Sequence, residues 1–236
     1  MRDAIRHFAA ELIGTFALVF IGSGALMTSG RMTGGTGLVV AALAHGLVLA
    51  VMVTATMRIS AHLNPAVTLG FLATRRIEPM MAAVYVAAQF LGAILAAYAL
   101  AALFPESLQE GMRLGGQRVA LDVDLWQAIF LEGIATFFLV FVVFGTAVDQ
   151  SSPRVGGFAI GLTLAVAILA IGPLTGASLN TARSFGPAVA SQYFEGQIVY
   201  WVGPLVGGVL AALLYDALFL RRGPEPIDHG AVRPTS

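Results

Sequence analysis

Cysteine and lysine are both missing from this 236-residue chain. Without cysteine there is no disulfide, no thiolate metal site and no thiol nucleophile. Without lysine, arginine carries all 13 basic charges. Charge of either sign is scarce: 11% of residues are charged, against about a quarter in a soluble domain. The formal net charge is zero, which offers nucleic acid no electrostatic handle. No nucleophile–base constellation and no metal-ligand cluster stands out, so an enzyme is the least expected class, and no metal or cofactor is expected.

Apolar residues fill the space: 58% of the chain, with a mean hydropathy of +0.84. The chain reads as an all-α membrane protein. Six apolar runs, at 5–27, 38–56, 80–104, 125–148, 155–171 and 198–220, match the roughly 30 Å hydrocarbon core. The fifth is marginal, and Gly172-Pro173 is expected to end it. The first contains Glu11 and no small-residue cleavage site, so it is expected to stay as a helix rather than leave as a signal peptide. Residues 105–124, with Glu106, Glu110, Arg113, Arg118, Asp122 and Asp124, read as a solvated loop. Residues 223–236, with Pro224, Pro226 and Pro234, read as a disordered tail. One domain is expected over 1–222, with repeats at about 5–104 and 125–220.

Two polar stretches interrupt this pattern. One runs Ser60-Ala61-His62-Leu63-Asn64-Pro65-Ala66-Val67-Thr68; the other runs Ser178-Leu179-Asn180-Thr181-Ala182-Arg183-Ser184-Phe185-Gly186-Pro187. The apolar run after the first Asn is about ten residues, or about 15 Å of helix, half of a crossing. Two such half-helices entering from opposite faces would complete one crossing. Asn64 and Asn180 lie 116 residues apart, Glu11 and Glu132 lie 121 apart, and Gly92 and Gly207 lie 115 apart. Three crossings per half is an odd number, so the second half must sit upside down, as an inverted repeat. The spacing Ala88, Gly92, Ala96 and its counterpart Gly203, Gly207, Ala211 predict close helix packing rather than ligand contact.

Arginine sets the orientation. Arg2, Arg6, Arg58, Arg75, Arg76, Arg154, Arg221, Arg222 and Arg233 fall on the side of the termini. Only Arg31, Arg113 and Arg118 fall on the other, so both termini are expected in the cytoplasm.

Each polar group within the apolar runs needs a reason. Glu11 and Glu132 are expected to accept from the unpaired N–H groups of the re-entrant loops, with a proton relay as the alternative. Asn64 and Asn180 suit the N-caps of the half-helices, and Pro65 suits the first helical position. Facing each other, the two Asn would present four amide N–H groups between two positive helix ends, a setting that favours an acceptor atom and repels cations. Arg183, one turn into the second half-helix, must face a polar lumen. His45 is by itself either a packing residue or a pore residue, and His62 either lines a vestibule or bonds loop backbone.

These residues together resemble the aquaporin family, also called major intrinsic proteins, over roughly 11–215. The resemblance rests on Glu11-x-x-Gly14-Thr15-Phe16, His62-Leu63-Asn64-Pro65-Ala66-Val67-Thr68 and the stretch Ser178–Pro187. It implies six tilted helices with two half-helices, a homotetramer, and pore motifs at Asn64, Pro65, Ala66 and at Asn180, Thr181, Ala182. It also implies a selectivity ring of His45, Ile168, Ala177 and Arg183. That ring resembles some plant tonoplast intrinsic proteins. It departs from strict water channels, with Phe and His at the first two positions, and from glycerol facilitators, with Trp, Phe and an Asp where Ser184 stands here. Thr181 replaces the family's Pro, which puts the rigidity of Asn180 in question.

The resemblance implies a passive channel for water, extending to ammonia, urea or hydrogen peroxide, that excludes protons and ions. The expected setting is a cell membrane, the bacterial inner membrane. A glycerol-type facilitator and a coupled secondary transporter are the alternatives.

Overall fold

The computed structural model describes residues 2–30, 32, 35–109, 111–152 and 155–220. Arg31, Glu110, Arg154, Arg221, Arg222, Arg233 and the whole 223–236 tail lie outside the described residues. Those that are described form helices and no strands. The elements are α1 (Arg2–Ser29), α2 (Thr36–Thr56), α3 (Pro65–Ala73), α4 (Pro79–Leu103), α5 (Glu106–Gln109), α6 (Leu125–Val143), α7 (Gly156–Thr175), α8 (Thr181–Ser191) and α9 (Gln197–Leu218).

Six of them are long and apolar enough to cross a membrane: α1, α2, α4, α7, α9, and α6 with the π turn Phe144–Val148 that prolongs it. Their outer faces carry large apolar side chains, as α2 does with exposed Val39, Leu43, Leu47 and Val51. Glu11, His45, Gln89, Glu132 and Arg183 point inward and are buried. This polarity suits a protein whose solvent is lipid.

The packing obeys an exchange of halves. Helix α1 lies on α4 as α6 lies on α9; α4 covers α8 as α9 covers α3; α2 meets its own counterpart α7. Glycine sets the closeness of the first pair of contacts. A Cβ on Gly92 would stand 2.4 Å from the Leu12 carbonyl oxygen, and one on Gly207 2.0 Å from that of Gly133. Backbones this close are what small residues allow in lipid.

Two features differ from the sequence expectation. Helix α7 does not stop at Gly172-Pro173 but runs to Thr175. Proline in the last turn removes a single ladder bond, and Gly176, at φ 81, ends the helix by donating to the Gly172 carbonyl at 2.9 Å. The segment 105–124 is not simply a solvated loop. Leu114 is buried with Met27 and Leu100, and Ala120 N–H donates to the Leu174 carbonyl at 2.9 Å, which pins the loop over the helix ends.

Candidate pore and its constriction

The two half-helices start at the caps. Asn64 is extended, and its Oδ1 accepts from Ala66 N–H at 2.9 Å. Asn180 is extended too, and its Oδ1 accepts from Ala182 and Arg183 N–H at 3.0 and 3.1 Å. Pro65 and Thr181 occupy the first helical positions, so neither needs a backbone N–H there. The Ser178 and Ser184 hydroxyls brace the second cap by donating to the Asn180 carbonyl at 2.7 and 3.0 Å. The Thr181 hydroxyl is buried and has no hydrogen-bond partner among the described residues.

The amide nitrogens cross between the repeats. Asn64 Nδ2 donates to the Leu179 carbonyl at 2.7 Å, and Asn180 Nδ2 donates to the Leu63 carbonyl at 2.7 Å. An Asn amide has two N–H groups. The lumen is therefore left with one from each Asn, two rather than the four expected from capping alone. The crossing needs Leu63 and Leu179 in the left-handed region, at φ 51 and 54, a conformation that costs a non-glycine residue about 1–2 kcal/mol.

Two carboxylates hold those leucines in place. Glu11 accepts from His62 and Leu63 N–H at 2.7 Å each and from the Ser60 hydroxyl. Glu132 accepts from Ser178 N–H at 2.9 Å, Leu179 N–H at 2.8 Å and the Thr175 hydroxyl at 2.7 Å. Both carboxylates are fully buried, and each ties a helix of its own repeat to the loop that precedes that repeat's Asn.

Gln89, which the sequence reading passed over, completes the first set. Its Nε2 donates to Glu11 at 2.7 Å and to the Thr68 hydroxyl at 3.0 Å. A polar residue inside the apolar run of α4 was the available signal. In the second half Tyr200 braces the loop differently, donating to the Thr175 carbonyl at 2.7 Å rather than to the carboxylate.

A narrow lumen of about 20 Å³ runs beside the caps. That is room for about one water at a time. Its lining combines apolar Leu18, Leu49, Val53 and Leu164 with polar His62, Asn64, Asn180 and Arg183. His62 Nδ1 lies 3.1 Å from the Thr68 hydroxyl, and its ring packs against Phe71 and Tyr85.

Arg183 stands where this lumen meets a wider vestibule, on the face away from the termini, that His45 and Ile168 also line. Its Nη1 donates to the Ala177 and Ser178 carbonyls at 2.7 and 3.1 Å, and its Nη2 lies 3.0 Å from His45 Nε2. His45 Nδ1 is 2.8 Å from the Ala41 carbonyl, so Nδ1 carries the proton and Nε2 accepts from the arginine. His45 thus has no free N–H for a passing molecule. Of five guanidinium N–H groups, one on Nη2 and the one on Nε have no partner among the described residues.

Ala177 is fully buried at φ 45 and is absent from the vestibule wall. It meets Arg183 through its carbonyl, not its methyl group. Gln117, another residue the sequence reading passed over, reaches the same vestibule from the 111–124 loop.

Six crossings, two head-to-head half-helices and a small cavity beside their caps define the class: an aquaporin-like membrane channel fold. The solved structure described as the aquaglyceroporin from Plasmodium falciparum is similar, with a TM-score of 0.81 at 25% identity, covering 91% of this chain and 96% of that one. The sequence model of the family described as Major intrinsic protein matches residues 1–215. Among curated relatives, a Zea mays protein described as Aquaporin TIP4-4 is 45% identical over 232 residues, 94% of this chain and 90% of its own length. A Musa acuminata protein described as Aquaporin TIP1-2 is 40% identical over 227 residues, 92% of this chain and 88% of its own. The chain belongs to the major intrinsic protein family.

Proposed function

We propose that this protein is a passive water channel, a single domain over 1–222 that also passes small neutral solutes such as ammonia, urea or hydrogen peroxide. One observation carries the reading: each cap amide gives one N–H to the opposite repeat and keeps one for the lumen. A water oxygen accepting from both remaining N–H groups must turn its hydrogens outward, along the file. Proton hopping then breaks at the midpoint. The positive ends of α3 and α8 meet at the same place and oppose cations.

In this reading His45, Ile168, Ala177 and Arg183 form the selective ring, and Arg183 supplies its donors. His45 and Ala177 hold the guanidinium in position, Ile168 adds an apolar wall, and His62 lines the lumen on the side of the termini. The relatives' descriptions as aquaporins support water as the permeant. The solved neighbour's description as an aquaglyceroporin belongs to a protein of lower identity, and the glycerol alternative has less support.

Ion coupling is disfavoured by the two intramembrane acids. Glu11 and Glu132 already accept three or more hydrogen bonds each from their own repeat. The chain is a multi-pass membrane protein. Both termini in the cytoplasm and a homotetramer, with one pore per subunit, complete the proposal. The relatives named above are plant proteins, which lend no support to a bacterial inner membrane.

Stopped-flow light scattering on proteoliposomes tests the reading. Osmotic shrinkage should be faster than in empty vesicles and insensitive to mercury, since the chain has no cysteine. Folded, reconstituted protein that adds nothing to the empty-vesicle rate would refute it.

A further inference from the structure

The lumen-facing stripe of α1 runs Leu18, Gly22, Leu26, one turn apart. Leu18 lines the narrow lumen and Leu26 the vestibule. Gly22 lies between them, buried, and the ring of His45 sits directly against it. A Cβ on Gly22 would meet His45 Cδ2 at 2.2 Å, Nε2 at 2.3 Å and Cγ at 2.7 Å.

Both nitrogens of the ring are engaged where it stands. Its Nδ1 is committed to the Ala41 carbonyl and its Nε2 to Arg183. Nor can α2 retreat as a whole. One residue along, Gly46 is pressed against α7, where a Cβ on Gly161 would stand 2.2 Å from the Gly46 carbonyl oxygen. A side chain at position 22 must therefore drive the imidazole off one or both of its bonds, or into the lumen.

We infer that Gly22 is a specificity-determining positioning residue, the seat that lets a histidine at position 45 reach and hold Arg183. Residue 22 touches no permeant; it acts through the His45–Arg183 pair. The inference rests on the reading of that pair as part of the selective ring.

The test compares wild type, Gly22→Ala, His45→Ala and Gly22→Ala/His45→Ala in proteoliposomes, with water and urea permeability measured for each. Gly22→Ala should change the water-to-urea permeability ratio several-fold, because the displaced imidazole either releases Arg183 or narrows the lumen. In the His45→Ala background the same substitution should change nothing, because the atoms it strikes are gone. If Gly22→Ala alone does not fold, the double variant should, and should match His45→Ala.

Gly22 as a seat for His45 is overturned if Gly22→Ala leaves the ratio unchanged, or if its effect persists undiminished beside His45→Ala. The ring reading itself falls in a different way, if His45→Ala leaves every permeability at the wild-type value.

Discussion

Replacing Glu132 by Gln is a nearly isosteric change that reverses one hydrogen bond. The glutamine oxygen can keep Ser178 N–H and the Thr175 hydroxyl, which share one carboxylate oxygen in the wild type. The new NH₂ then faces Leu179 N–H, donor against donor. One charge-assisted bond is lost, about 1.5–3 kcal/mol, and a buried N–H is orphaned, about 1–3 kcal/mol. Release of Leu179 from φ 54 returns about 1–2 kcal/mol of backbone strain. The net loss is about 0.5–5 kcal/mol, centred on about 3 kcal/mol, or about 6–12 °C in melting temperature for a chain of this size.

The functional cost follows from the same relaxation. A Leu179 that leaves the left-handed region turns its carbonyl away from Asn64 Nδ2. The first cap then loses its cross-strut, and water permeability per reconstituted channel should fall along with the melting temperature. Thermal unfolding in detergent and stopped-flow shrinkage measure the two separately. A Glu132→Gln protein that melts and conducts as wild type refutes the claim that this carboxylate holds the loop.

Thr181→Pro should stabilise: it removes a buried hydroxyl without a partner and stiffens the unfolded chain, together worth about 1–2 kcal/mol and readable as a higher melting temperature. A lower melting temperature would mean that the Thr181 backbone N–H or hydroxyl has an unrecognised role. Gly207→Ala should destabilise by about 1–3 kcal/mol, because the added methyl group meets the Gly133 backbone carbonyl, which cannot swing aside; an unchanged melting temperature contradicts it. Arg183→Lys should lose at least one of the three acceptors at Ala177, Ser178 and His45, since one ammonium lacks the guanidinium's span. A pH-sensitive dye inside vesicles should then report a larger proton leak, while an unchanged leak places the proton barrier wholly at the asparagines.

Much of this fold could be read from local pattern. The six crossings and two stubs follow from apolar run lengths, and the inverted repeat follows from Glu11 and Glu132, Asn64 and Asn180, Gly92 and Gly207 recurring at nearly one offset. The positive φ of Leu63, Leu179 and Ala177 could not be read. Leucine and alanine give no local sign of that conformation: at Leu63 and Leu179 the N–H is held by a carboxylate about fifty residues earlier in the chain, and at Ala177 by the Thr175 hydroxyl. The crossed amide bonds were hidden for a related reason: their acceptors are backbone carbonyls in the opposite repeat, and a carbonyl has no signature in sequence. His45 could be placed near the constriction only by resemblance. Its two hydrogen bonds, which make it a holder of Arg183 rather than a donor to the permeant, depend on α2, α7 and α8 converging. The run of α7 past Pro173 was missed because a proline near a helix end costs far less than one in its middle.

The reciprocal struts from Asn64 and Asn180 bear on how the protein is made. When the first repeat leaves the ribosome, the Asn64 amide has no home, because its acceptor lies 115 residues downstream and has yet to be synthesised. A nascent half can span the bilayer but cannot finish its own gate. Conduction must therefore appear in a single step late in biogenesis, when the second stub arrives from the opposite leaflet and both caps close on each other.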